Sequence, residues 1–306
     1  MKIIDAHTHL WLRQDAVVDG KTVRTTHSGR SHFMGEERQM LPPFMIDGQN
    51  TAEVLLSNMD YAQVSAAVVT QEFIDGNQNK YLSDVQKRYP ERFCVFGLSD
   101  YFRPGFAEHA RVLVEEHRFR GMSVPGHRLK TSKQTVRLNS KEMMEMFGIM
   151  DKNEAILSLC LSEEEEQITE IKEVIRTYPK LKIAVGHFGM VTGKNWDSQI
   201  ELAHHPNVFI ELGGTTWLFN HEFYPFPSAI EAICQAIDRV GADKLMWGSD
   251  YPRTITAITY RMSYDFILKS NRLTLSEKEC LMHRNAQAFY GFGELTDLPY
   301  IKNMSE

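Results

Sequence analysis

Short, continuous apolar runs recur along the 306-residue chain, each followed by a stretch whose apolar positions fall three and four apart. The runs are 2–7 (KIIDAH), 65–71 (SAAVVTQ), 93–99, 119–124, 155–161, 181–187, 207–212 and 244–250. Being continuous rather than alternating, they predict strands buried on both faces of a parallel sheet. The stretches between them, such as 51–63, 106–117, 165–179 and 228–241, repeat at helical period, and Thr51 stands where an N-cap belongs. Eight such alternations predict an α/β fold, a (β/α)8 TIM barrel, with a doubly wound open sheet as the alternative. No G-x-G-x-x-G follows the first run, which weighs against the open sheet.

One segment breaks the alternation. Residues 11–50 show neither period, and loops of that length without structure of their own are uncommon unless they serve a purpose. In a barrel this insertion would follow the first strand and lie over the C-terminal mouth as a lid. Residues 294–306 read as a C-terminal extension. No linker or repeat divides the chain, so a single domain over 1–306 is expected.

Composition narrows the function. Hydrophobic residues make up 42% and charged residues 24%, enough for a large core and too ordered a mixture for disorder. A net charge of −6 argues against nucleic acid as a partner. The acidic run Glu163–Glu166 is expected to open a helix capped by Ser162, where its charge suits the positive end of the dipole. The four cysteines, Cys94, Cys160, Cys234 and Cys280, form no C-x-x-C pair and predict no disulfide framework. The first residues are too short and polar for a signal peptide, and no window approaches the roughly 20 apolar residues of a membrane span. A cytoplasmic protein without membrane contact is expected, with a homodimer as the default assembly.

The candidate chemistry lies at the ends of the apolar runs. His7 and His9 are two apart and share a side of the first strand at its C-terminal end, where a parallel barrel carries its active site. Two neutral imidazoles on one side are half of a divalent-metal site. The sixth run ends in His187 (AVGHFG) and the eighth in Asp250 (MWGSDYP), so four polar groups at matching strand ends converge on one point. Cys160, in an apolar run, reads as an inert buried thiol rather than a nucleophile.

DAHTHL, GHFG and WGSDYP, in this order, together with RNAQAFYG near the end, resemble the amidohydrolase superfamily. More narrowly, they resemble its amidohydrolase-related branch, known as amidohydrolase 2, over residues 5–291. The resemblance implies a barrel that hydrolyses C–N or C–O bonds or, in some members, decarboxylates. It also implies that His7, His9 and Asp250 bind a metal such as zinc or manganese, and that His187 contacts substrate or metal. Metal-binding members usually add a His on the fifth strand or a modified Lys on the fourth; here the fifth run reads ILSLCLS, with Cys160 near that place. A subgroup acting on sugar-acid lactones is similar in lacking this His, and some of its members work without tightly held metal. The expected activity is therefore water attack on a lactone of a sugar acid or small organic acid, with Asp250 and His187 as the catalytic groups. A metal-dependent amidohydrolase or decarboxylase acting on a small carboxylic acid is the alternative. Expected substrate contacts are Gln71 and Glu72 after the second strand, His127 and Arg128 after the fourth, Glu211 and Trp217 at the seventh, and Arg38 in the insertion. There His27, Arg30 and His32 are further partners for a carboxylate.

Overall fold

The computed structural model describes residues 1–304. The first apolar run forms β1 (Ile4–Thr8). The insertion forms β2 (Asp15–Val18), β3 (Lys21–Thr25), β4 (Arg30–Phe33) and β5 (Glu36–Gln39), and the remaining runs form β6 (Ala66–Val69), β7 (Phe93–Gly97), β8 (Gly121–Val124), β9 (Ile156–Leu159), β10 (Lys182–Val185), β11 (Val208–Glu211) and β12 (Leu245–Met246). β1 and β6–β12 make one eight-stranded sheet in chain order, every pair parallel. The ring closes where the segment after β12 meets β1: Ala6 N donates to Trp247 O (2.9 Å), His9 N to Tyr251 O (2.8 Å) and Asp250 N to His7 O (2.9 Å).

The helices between the strands cover the ring. Among them α1 (Ala52–Tyr61), α2 (Asn79–Arg88), α3 (Phe106–Glu115), α4 (Lys141–Lys152) and α5 (Glu165–Thr177) turn their apolar stripes inward. Thr51 caps α1 by accepting from Val54 N. The acidic run departs from expectation: α5 begins at Glu165, and Ser162, two residues before the N-cap Glu164, accepts from Glu164 N instead of capping the first turn. The barrel interior is filled by Ile4, Ala6, Ala66, Val68, Cys94, Phe96, Ile156, Ala184 and Met246, and is sealed below by Phe289, Tyr290 and Leu295. Asn285 ties this closing segment to β12 by donating to Ala242 O and Leu245 O (2.7 Å each).

Residues 11–50 are not an irregular loop. β2–β5 form a four-stranded antiparallel sheet, pinned to the barrel by a small cluster of Trp11, Leu41 and Met45 against Val54 and Ile255. Its strands are mostly exposed and rich in charged residues, so burial imposes no clean alternation on them. The hydrogen bonds between short hairpins decided a structure that the hydrophobic pattern did not reveal. Among the described residues no helix is long and apolar enough to cross a membrane.

Candidate metal centre and active site

Within the barrel, residues of even number fill the interior of β1, β6, β9 and β12 up to the mouth. Ser158 and Cys160 follow Ile156 in phase, and Asp250 follows Met246. His7 and His9 have the opposite parity to Ile4 and Ala6. A shift in register against β6 between Asp5 and Thr8 reconciles the two sets and turns both imidazoles into the mouth. His187 is likewise out of phase with Ala184. It leaves β10 at φ +51°, and Asp250 stands at φ +59°, both in the left-handed region that residues with a Cβ avoid. His7, His9 and His187, the three that are out of phase, thus owe their aim to a backbone irregularity.

The result is a tight donor cluster. His7 Nε2 lies 3.1 Å from His9 Nε2, His9 Nε2 is 3.2 Å from Asp250 Oδ1, and His7 Nε2 is 3.6 Å from the same oxygen. Three donors on a tetrahedral ion with bonds of about 2.0–2.1 Å stand roughly 3.3 Å apart. Each Nδ1 is already committed: that of His7 donates to Glu211 (2.7 Å) and that of His9 to Asp75 (2.8 Å). A carboxylate on one ring nitrogen directs the lone pair of the other toward a metal. Two Nε2 lone pairs facing at 3.1 Å require a proton or a cation between them, so the residues present fit a divalent cation.

The electrostatics agree. Burial opposes protonation of His7, but the Glu211 charge and hydrogen bond outweigh it and raise its pKa above the usual imidazole value. For His9 burial is outweighed by Asp75 and then Asp250, and the rise is larger. Asp250 is buried, yet its hydrogen bond to His9 and the charges of His187 and His7 hold its carboxyl far below the usual range. His187 moves the other way: burial and the neighbouring His7 charge lower its pKa, against the opposing pull of Asp250 and Glu211. Its Nδ1 donates to Gly213 O (3.2 Å), and among the described residues its Nε2 has no hydrogen-bond partner.

The four converging groups line a cavity together with Gln71, Glu72, His127, Arg128 and Cys160. Arg128 Nε donates to Glu72 at 2.7 Å. Burial raises the pKa of Glu72, and Arg128 partly offsets that rise. The amide of Gln71 is fully engaged, donating to Asn79 Oδ1 and Phe96 O and accepting from Gln78 N, so it braces the wall.

Three expected substrate contacts lie off this wall. Glu211 is 1% exposed and supports the site from below, accepting from His7 Nδ1, His187 N and Gly213 N. It fits there because Gly248 leaves room: a Cβ at that position would stand 2.9 Å from Glu211 Oε2 and 2.8 Å from His7 Cβ. Trp217 stands behind Asp250 and donates its indole N–H to Oδ2 (2.7 Å). Arg38 is exposed on β5, paired with Glu36 and laid over Phe33, so its charge is spent within the insertion. The insertion reaches the cavity through Trp11, Gln14 and Met40 instead.

Three contributors carry no strong sequence signal. Asp75 is aimed at His9 by the turn Phe73–Asp75, where it also accepts from Glu72 N. Asp5 is buried between Ser249 and Tyr260 and staples β1 to the segment after β12; burial pushes its pKa up to about 6. Arg253 lies on the cavity wall three residues beyond Asp250. An acidic residue inside the first apolar run and a cation next to SDYP were the available hints for the last two.

Comparison with known proteins agrees with this geometry. The Amidohydrolase family model (Amidohydro_2) matches residues 4–292. The chain belongs to this amidohydrolase family. It is 25% identical to an L-fucono-1,5-lactonase of Burkholderia ambifaria, over 81% of this chain and 80% of that protein. Its fold is that of an amidohydrolase from Burkholderia multivorans crystallised with zinc, at TM-score 0.69 and 17% identity, covering 95% of this chain and 99% of the other. A dihydroxybenzoic acid decarboxylase from Polaromonas, crystallised with manganese, superposes at TM-score 0.61 and 14% identity, covering 79% and 86% of the two chains. The family match makes the chain an amidohydrolase-superfamily enzyme acting on a small molecule, and the solved structures show its fold.

Proposed function

We propose that this amidohydrolase opens a lactone of a sugar acid or small organic acid by attack of water. The observation that carries this reading is at the end of β9. Cys160, not an imidazole, occupies the cavity wall there, and burial followed by the charges of Glu211 and Glu72 keeps its thiol protonated. A donor set that stops at His7, His9 and Asp250 suits an activated ester, which needs less Lewis-acid help than an amide. The lactonase relative supports the same reading.

A divalent cation held by His7, His9 and Asp250 would supply Lewis-acid activation of water and of the ester carbonyl. The chain's own groups do the proton work. Asp250, ionised and oriented by Trp217, takes a proton from the attacking water as its oxygen bonds to the carbonyl carbon. The bond from that carbon to the ring oxygen then breaks, and the same proton passes to the departing oxygen, leaving a hydroxy acid. His187, its Nδ1 committed to Gly213 O, accepts a hydrogen bond through Nε2 from the water or from a substrate hydroxyl. The four imidazole and carboxylate groups converge in a largely desolvated cleft, where their dipoles act strongly on developing charge.

The test is a panel of sugar-acid and organic-acid lactones, followed by acid release, with zinc- and manganese-loaded and chelator-treated protein. Hydrolysis of at least one lactone is expected. Carbon dioxide release from hydroxybenzoates, with no lactone opened, overturns the reading in favour of decarboxylation.

A further inference from the structure

Arg253 is a cation that the protein does not neutralise. Its guanidinium lies 3.7 Å over the ring of Trp217, the same indole that holds Asp250. Among the described residues no carboxylate is within ion-pairing reach of it. By contrast, Arg128 across the cavity is bound to Glu72, and Arg38 to Glu36. Arg253 nevertheless lines the cavity that contains His7, His9 and Asp250. Desolvation lowers its pKa, the Asp250 charge partly offsets that, and Arg38 and Arg128 add to the lowering, so no ion-pair partner fixes the guanidinium edge.

Stacking decides which part of the guanidinium is offered. With one face taken by Trp217, its N–H edge remains, and that edge matches a planar acceptor with two oxygens. We propose that Arg253 receives a carboxylate of the substrate, so that the enzyme selects lactones bearing a free carboxylate over neutral ones. This inference rests on the lactone reading for its substrate class. Its binding component stands on the unpaired, stacked cation alone.

The experiment separates the two. Zinc-loaded wild-type, R253Q and R253K proteins are titrated calorimetrically with the linear dicarboxylates from malonate to adipate and with their monomethyl esters. Each ester keeps one carboxylate for the metal centre and removes the second. Wild type is expected to bind its best diacid about tenfold or more tighter than the matching monoester. R253Q should lose that preference, and R253K, which keeps the charge without the fork, should retain only part of it. Equal binding of diacid and monoester by wild type, which needs no variant to fold, overturns the proposal, as does a preference that survives in R253Q. In turnover, γ-butyrolactone carrying a carboxylate should be favoured over its carboxamide, with the R253Q defect mainly in KM. Diacid preference without any lactone turnover would overturn the lactone reading and leave the anion site standing.

Discussion

The carboxylate of Asp250 has its two oxygens assigned to different partners. Oδ1 faces the two imidazoles, and Oδ2 accepts from Trp217. Replacing it by Asn preserves size but removes both the charge and the proton acceptor. D250N should lose roughly 10²–10⁴-fold in kcat/KM on the best lactone while keeping a wild-type circular dichroism spectrum. Unchanged turnover by the variant would refute the assigned chemistry. Glu211 acts at one remove, through His7. E211Q should weaken zinc binding by about 10- to 100-fold in competition with a chromophoric chelator, because the amide no longer fixes the Nδ1–H tautomer of His7. Affinity equal to wild type would show that His7 needs no such support. At this scale the sequence was most legible where a residue ends an apolar run in phase, as at Asp250. It was least legible where a partner lies on a turn, as at Asp75, because the identity of a supporting carboxylate depends on what faces it.

The elements explain why so few residues suffice. Each barrel strand presents alternate side chains to the interior, so one polar residue added to an apolar run reaches the mouth without any loop to carry it. That rule alone would send His7 and His9 outward with Ile3, whose side chain packs under the helices. The register shift in β1 reverses their direction, and Gly248 clears the space that His7 enters. G248A should therefore act on His7 rather than on the barrel as a whole. Its methyl would sit 2.8 Å from His7 Cβ, and the expected result is a stability loss of about 1–3 kcal/mol with a larger proportional loss of zinc affinity. A variant that is destabilised but binds zinc normally would show that the packing at Gly248 does not hold the ligand. The helices and the eight parallel strands were readable because buried periodicity is strong. The β2–β5 sheet was not, because exposed polar hairpins leave their pairing to backbone hydrogen bonds, which the side chains do not advertise.

For the molecule as a whole, the site ties proton binding to metal binding. In the metal-free protein the pKa values of His7 and His9 are raised above the ordinary imidazole value near 6.5. Their protonated forms stabilise the fold; that contribution is fully present below pH 6.5 and is lost as pH rises through the raised values. A cation displaces those protons, so its affinity strengthens over the same range. The difference in Tm between zinc-loaded and chelator-treated protein should accordingly widen from pH 6 to pH 8, as read by differential scanning calorimetry at constant ionic strength. A constant gap would mean that neither imidazole exchanges a proton for the metal.

Read by itself, the sequence determined the eightfold alternation, and with it a barrel whose C-terminal mouth gathers His7, His9, His187 and Asp250. Hydrophobic burial is a local, additive drive that leaves its period in the chain. Only the tertiary structure decided that Glu211 and Trp217 support the ligands from behind, that Asp75 orients His9, that the insertion is a sheet, and that Arg253 is left without a counterion. Those outcomes depend on which groups from distant segments come within a hydrogen bond of one another. Ring closure sets that, and no single segment encodes it.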